Sequence, residues 1–336
     1  MPIQRRHLIG VDVGSSAVKL VQSRGPRNWK TGIAPLPEGV MAGNMINSTK
    51  LLAASVKKAM AAGSISRGKA ALCLSGMDII IRPMVLPRMN AEQLKQNVVD
   101  EISGYLAVDP AMYVIDYKVQ DVLTDGAATQ YKVMIVAVPK STVMPYIQAL
   151  SMAGLKVVTV DVAANAKEKL VNHILGRSSH FATIDLGMNL SVVDTYQAGR
   201  FFVGKSTAGG LAGAAAALAK AIDTDELRAL DMILGGEQSS ECRQAVADYV
   251  DQVVADAIRT TDYFRSRNMM TPVDQVYLCG GGARIPGIAQ MIQDRMNLPV
   301  QEFGTLLSEV LQHGNSTAQG LSAFTAAAGC TLTEVD

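Results

Sequence analysis

Long hydrophobic runs are missing from this chain. The longest greasy stretch, Leu211 to Ala219, is alanine-rich and falls well short of the ~18 apolar residues that a membrane span needs. The N-terminus has no apolar core of the kind a secretory signal carries. Direct membrane insertion is therefore excluded, and a cytoplasmic protein is expected. Charge of one sign is also missing. Lys and Arg total 31 against 30 Asp and Glu, for a net charge of +1. The basic residues are scattered, so no basic face for nucleic acid forms; Arg5-Arg6-His7, the densest spot, reads as solvated flank. Cysteine and histidine are scarce, four of each. Cys73, Cys242, Cys279 and Cys330 lie far apart with no metal or redox spacing, which predicts buried thiols in a reducing compartment. The histidines are isolated, and no Ser-His-Asp order or metal-ligand helix stands out.

What the chain does have is core. Of its 336 residues 49% are hydrophobic and 18% charged, a globular composition with length for about two domains. Strands are expected at 8–13, 17–23 and 28–34, a helix at 49–62 capped by Ser48 or Thr49, and a buried strand at 69–76. From about 79 the texture changes: "IIIRPMVLP", a helix over 90–106 capped by Asn90, strands at 113–122 and 130–139, a helix at 140–155 and a strand at 156–162. This reads as an inserted β-α-β-β-α-β unit. Seven of the 17 methionines lie between Met77 and Met152, as core filler or as lining of an adaptable groove.

A helix at 165–175 precedes "HFATIDLGMNLSVVDTYQAGRFFVGKS" (180–206), which repeats the opening. "IGVDVGSSAVKLV" and "ATIDLGMNLSVVD" each read strand, D-x-G, polar turn, strand. A helical region over 211–268, a strand ending in "CGGG", a further helix, a short strand "PVQEF" and an alanine-rich helix at 316–328 complete the chain.

A glycine turn at a hairpin tip can aim backbone N–H groups at phosphate oxygens, with glycine letting the backbone come close. An Asp at the strand end repels phosphate but suits Mg²⁺, which bridges to phosphates. Two such hairpins facing each other would clamp a polyphosphate and its metal between two domains. Asp12 and Asp185 are then the metal-facing pair, with Gly14, Ser15, Ser16, Gly187 and Asn189 in the turns. Lys19 is a candidate phosphate contact or a solvated strand lysine. Ser191 is a candidate hydroxyl for the second turn.

"DVGSSAVK", "DLGMNLS" and "GGGARIPG" stand in the order of the first-phosphate, second-phosphate and adenosine motifs of the actin/Hsp70/sugar-kinase ATPase superfamily. The insert resembles the 1C subdomain of the cell-division protein FtsA. "LIGVDVGSSAVKLVQ", "RPMVLPRM" with its following acidic helix, "YVIDYKV" and "VDVAANA" resemble the type IV pilus assembly PilM family over nearly the whole chain. The resemblance implies an α/β, actin-like (ribonuclease H-like duplicated) two-domain fold with an FtsA-type 1C insert. Its parts would be 1–78 with 159–180 (1A), 79–158 (1C) and 181–336 (2A/2B), the C-terminal helix returning to the first domain. It implies ATP and Mg²⁺ as ligands with weak hydrolysis at most, and adds Gly209, Gly210, Glu226, Gly280, Gly281, Gly282 and Arg284 to the nucleotide contacts. Glu226, like Arg228, also fits a plain surface helix. Two departures stand out: Gly204-Lys205 replaces a common Arg, and Met188-Asn189 fills the second turn.

The implied role is a cytoplasmic scaffold at the inner-membrane face. It would hold the N-terminal peptide of the inner-membrane protein PilN in a groove between 1A and 1C, and replacing nearby apolar residues, such as Met84 or Leu86, by Asp is expected to weaken that peptide. Pilus motor ATPases and self-association are further expected contacts. Two rivals are an FtsA-like membrane-associated filament former, which needs a basic amphipathic tail that 321–336 lacks, and a small-molecule kinase, for which neither a base nor a substrate pocket is evident.

Overall fold

The computed structural model describes residues 8–23, 29–42, 45–106, 109–125, 128–176, 179–268, 270–310 and 318–332. Arg5, Arg6 and His7 lie outside them. The first part runs β1 (Ile9–Val13), β2 (Ala17–Ser23), β3 (Trp29–Pro35), a short ladder of β4 (Met41–Ala42) and β5 (Met45–Ile46), α1 (Thr49–Ala62) and β6 (Gly68–Leu74). An excursion follows through β7 (Ile80–Pro87), α2 (Ala91–Ser103), β8 (Tyr113–Asp125) and β9 (Ala128–Pro139). The chain returns by α3 (Lys140–Met152), β10 (Leu155–Val162) and α4 (Ala163–Leu175). The second half holds β11 (Phe181–Leu186), β12 (Leu190–Gln197), β13 (Arg200–Ala208), α5 (Leu211–Ile222), α6 (Glu226–Gly235) and α7 (Ser240–Arg267). It ends with β14 (Gln275–Cys279), α8 (Ile288–Met296), β15 (Val300–Glu302), α9 (Phe303–Val310), α10 (Ala318–Leu321) and α11 (Thr325–Cys330).

The repeat seen in the sequence is a repeat of topology. The first sheet is ordered β10-β6-β1-β2-β3 and the second β15-β14-β11-β12-β13. In each, a three-stranded antiparallel meander opens the sheet and two strands parallel to its first strand complete it. β1 and β11 are buried along nearly their whole length, as strands covered on both faces must be.

The excursion is smaller than its sequence suggests. β7, β9 and β8 make a three-stranded antiparallel sheet, and Leu94, Val98 and Ile102 of α2, four residues apart, pack over Leu86, Val133, Ile135 and Ala137. Asn90 caps α2 in a full capping box with Gln93. The expected second half of the unit goes elsewhere. β10 pairs in parallel with β6, and Val143, Tyr146, Ala149 and Leu150 of α3 join the first core with Leu52 and Val56 of α1. "KVVTVDV" carries strand propensity but nothing that names its neighbour. Met84 and Leu86 likewise serve the insert's own core rather than an open groove.

The alanine-rich C-terminal segment is broken into α10, a 3₁₀ turn at Ser322–Phe324 and α11. Residues 316 and 317 of the expected helix lie outside the described residues. α11 returns to the first sheet and passes between β1 and α4. Ala327 O sits where a Cβ on Gly10 would be, and Ala166 O where a Cβ on Gly329 would be, so small residues set this spacing. The short strand expected at "PVQEF" stops at Glu302, and Phe303 is buried at the start of α9.

In the second half, Asp256 of α7 is buried beneath β13. It accepts from Lys205 Nζ at 2.7 Å, Arg259 Nη2 at 2.5 Å and the Thr207 hydroxyl. Burial alone would raise its carboxyl, but these three donors outweigh burial and hold it at about 2, against an ordinary 3.8. The lowered value means that this stability is fully present above pH ~4 and is lost as pH falls toward 2. Because Lys205 and Arg259 are largely exposed, solvent screening reduces the gain to about 1–2 kcal/mol. Asp256→Asn is expected to lower stability by that amount at pH 7 and to flatten the acid limb between pH 4 and 2 in urea titrations.

Candidate functional site

The two sheets face each other across a cleft of about 1150 Å³. Both hairpin tips open onto it, and both are built alike. Gly14 N–H donates to Ala17 O at 3.0 Å, and Gly187 N–H donates to Leu190 O at 3.0 Å. Each D-x-G therefore closes the same short turn, with the Asp at the end of the buried strand. The two tips are the lips of one interdomain cleft.

The cleft is lined by Asp12, Gly14, Ser15, Ser16 and Lys19 from the first lip and by Asp185, Gly187 and Asn189 from the second. Gly280, Gly281 and Arg284 line it from the end of β14. Gly280 holds φ +83°, and a Cβ there would collide with Asp185 Oδ1 and Leu186 O, so glycine is required. Gly281 has no such strain, and a Cβ on it would enter open space.

Four expected contacts do not reach this wall. Gly282 is packed beneath it, against Leu186 and Leu211. Gly209 and Gly210 brace the second turn from behind: both N–H groups donate to Asn189 O, and a Cβ on Gly210 would lie 2.5 Å from Gly187 O. Leu211 and Ala212, at the start of α5, donate to Gly187 O and Met188 O, so the helix N-terminus is spent on the turn itself. Glu226 stands exposed in the first turn of α6, which Asp225 caps. Ser191 also points away. Side chains alternate along β12, so Leu190, Val192 and Asp194 face the cleft, while Ser191 Oγ meets Tyr249 Oη at 3.2 Å on the other side.

The electrostatics involve two residues that sequence reading missed. Lys19 crosses from β2 to Asp12, 3.0 Å from Oδ2. Burial disfavours its ammonium, but Asp12 and then Asp185 outweigh burial and raise its pKa. Lys167 of α4 is fully buried and reaches across from the first body to the second sheet, 2.7 Å from Asp194 Oδ2 and 3.9 Å from Asp185 Oδ2. Burial again opposes its charge, and Asp194 and Asp185 again outweigh burial, leaving the ammonium above its ordinary range. Asp185 is pushed upward by burial, with Lys167 and Lys19 pulling back. Carboxylates and ammonium groups thus alternate along the cleft floor. The signal in the sequence was a lysine on the apolar stripe of "AANAKEKLV" and an acid closing the β-branched run "LSVVD", both out of place on buried faces.

Residues 10–327 match the family described as Type IV pilus assembly protein PilM. Among solved structures, a PilM-PilN type IV pilus biogenesis complex superposes with a TM-score of 0.83 at 21% identity, covering 97% of this chain and 98% of that one. Ethanolamine utilization protein EutJ from Carboxydothermus hydrogenoformans gives 0.62 at 12% identity, over 98% and 91%. MreB5 of Spiroplasma citri bound to ADP gives 0.52 at 10%, over 96% and 95%. The duplicated sheets joined across a cleft are the actin-like two-domain α/β fold, and with a family match running nearly end to end the chain belongs to the type IV pilus assembly PilM family.

Proposed function

We propose that this chain binds ATP in the interdomain cleft and acts as a cytoplasmic scaffold of type IV pilus assembly, holding the N-terminal cytoplasmic peptide of an inner-membrane PilN partner. The observation that carries the reading is the pair of like-built glycine turns facing one cleft, with two lysines and three carboxylates on its floor. A polyphosphate needs backbone N–H groups, close approach and positive charge, and the turns with Lys19 supply all three. The ADP-bound MreB5 structure and the PilM-PilN complex support the ligand and the partner. The ribose and adenine are assigned to the Gly280–Gly281–Arg284 wall.

Asp12 and Asp185 fit a divalent ion held largely by water and phosphate, the habit of Mg²⁺; among the described residues no group of three or more ligating side chains gathers. When bound, Mg²⁺ would neutralise and bridge the phosphates. Hydrolysis is expected to be slow, because Met188 and Asn189 occupy the second turn and the Ser191 hydroxyl is turned toward Tyr249. No helix among the described residues is long and apolar enough to cross a membrane, so the inner-membrane link is assigned to the partner. Motor ATPases and further copies of the chain are assigned to the same scaffold's remaining faces.

Gly281→Val tests the nucleoside wall. The backbone accepts valine there, and the side chain projects into the cleft. ATP affinity by calorimetry is expected to fall about tenfold or more (about 1.4 kcal/mol or more) with thermal stability unchanged; unchanged affinity contradicts the assignment.

An extended peptide gains affinity by pairing with a sheet edge, and the insert offers two, β7 and β8. Val85 on β7 and Val122 on β8 are each about half exposed. Titration of a labelled PilN N-terminal peptide is expected to be weakened by Asp at one of these positions and not the other. Equal binding by both variants and the parent removes the insert edges from the mechanism.

A further inference from the structure

The basic residues look scattered along the chain, but the fold gathers some of them. Of the 30 carboxylates, none falls in residues 39–77 or 126–160, which together carry eight lysines and arginines. Those two segments supply α1 and α3, which touch each other and cover the same face of the first sheet. Leu52 and Val56 of α1 share one core with Val143, Ala149 and Leu150 of α3 and with Ile9, Val11 and Leu72 of the sheet. Two helices without a single acid therefore stand side by side as one outer layer.

Their outward stripes are regular. On α1 the exposed positions include Lys50, Leu51, Ala54, Lys57, Lys58 and Ala61, spaced as one side of a helix requires. On α3 they include Lys140, Met144, Gln148 and Met152, each four residues on. Arg67 is exposed in the loop after α1, and its side chain fills the space where a Cβ on Gly154, just past α3, would be. Among the described residues, none of Lys50, Lys57, Lys58, Arg67 and Lys140 has an ion-pair partner. Two acids flank the first segment. Glu38 is exposed in the turn before β4, and Asp78 accepts from the Thr142 hydroxyl. Other surface helices mix their charges: α2 sets Glu92, Asp100 and Glu101 beside Lys95, and Arg265 of α7 pairs with Asp262.

Gathered cations without counter-charges repel one another at a cost to the fold, and a partner that supplies negative charge removes that cost. Nucleic acid is the poorer match. Four of these five cations are lysines, which lack the guanidinium fork, and neither helix exposes an aromatic ring on which a base could stack. Leucine and methionine stand exposed between the lysines instead. That mixture suits a membrane surface, where apolar side chains enter the headgroup region and ammonium groups meet lipid phosphates.

We infer that the α1–α3 face of the first body rests on an anionic phospholipid surface. The contact is peripheral, since no helix among the described residues is long and apolar enough to cross a membrane. It would add a second weak hold to the partner peptide proposed above, and two weak signals anchor where one does not. The inference itself rests on neither the nucleotide nor the peptide reading.

The test is flotation of the full chain, without partner or nucleotide. One set of vesicles is phosphatidylethanolamine with phosphatidylglycerol, and the other is phosphatidylcholine alone. The parent is expected to float with the anionic vesicles and to stay behind with the neutral ones. It is expected to be released at about 1 M salt, where the Debye length falls to ~3 Å. Lys57→Glu/Lys58→Glu is expected to lower the partition at least about tenfold, with thermal stability unchanged because both side chains are exposed and unpaired. Lys95→Glu/Lys220→Glu makes the same change in net charge at exposed positions on α2 and α5, and is expected to float like the parent. Lys57→Gln/Lys58→Gln, a milder change, is expected to show a smaller loss in the same direction. A parent that stays behind with both vesicles overturns the inference, as does equal partition onto the two. So do glutamate pairs that weaken flotation alike, or a glutamine pair that floats like the parent. A parent that single-stranded RNA strips from the anionic vesicles at equal phosphate overturns it in favour of a nucleic-acid face.

Discussion

Lys167→Met is expected to destabilise the chain by about 3–5 kcal/mol, the cost of leaving a buried carboxylate without its cation. Asp194 is buried and stands 2.7 Å from the ammonium, and Asp185 lies beyond it at 3.9 Å. Methionine fills the same volume, so the loss is electrostatic rather than a cavity. Lys167 comes from α4 and its partners from β11 and β12, so the pair also pins the first body to the second sheet at the cleft floor. Replacing both ends, Lys167→Met with Asp194→Leu, is expected to recover most of the stability, because a buried pair stabilises little over apolar residues of similar size. Because the ammonium's pKa is raised, its contribution is fully present below its ordinary value of 10.5 and is lost only as pH rises through the raised value. The single variant's deficit should thus be flat from pH 6 to 9 in chemical denaturation. A deficit under about 1 kcal/mol would place Asp194 in contact with water instead.

The parts of this molecule that repeat or alternate were readable from residues alone. The two D-x-G hairpins, the strands on either side and the Asn90 cap follow from local pattern, and the cleft follows from putting two identical turns face to face. What could not be read was which surface meets which. β10 has the composition of a strand, but its partner is chosen by the space beside β6. The resemblance put Gly209-Gly210 among the nucleotide contacts; here Gly210 is small so that Gly187 O and Met188 O can approach. Cys73 and Cys330, remote in sequence, lie in one buried cluster, where the neighbouring Cys330 thiol and burial push the Cys73 thiol well up, a contact that exists only once α11 returns to β6. Lys167 and Asp194 each stand out of place on a buried face in the sequence, but their pairing could not be read, because it forms only where α4 meets β12.

We propose that the facing hairpins hold a magnesium–nucleotide complex through Asp12. That residue's carboxylate is a cross-strand partner of Lys19 on the cleft wall. With alanine there, the metal-facing charge is gone and Lys19 is released toward the phosphates. The most direct measurement is calorimetric titration of ATP into the parent and Asp12→Ala, once with Mg²⁺ and once with EDTA. The parent is expected to bind Mg-ATP at least about tenfold more tightly than the variant (about 1.4 kcal/mol or more), and the two are expected to bind metal-free ATP alike, or the variant slightly better. Equal Mg-ATP affinity in the folded parent and variant would contradict the account.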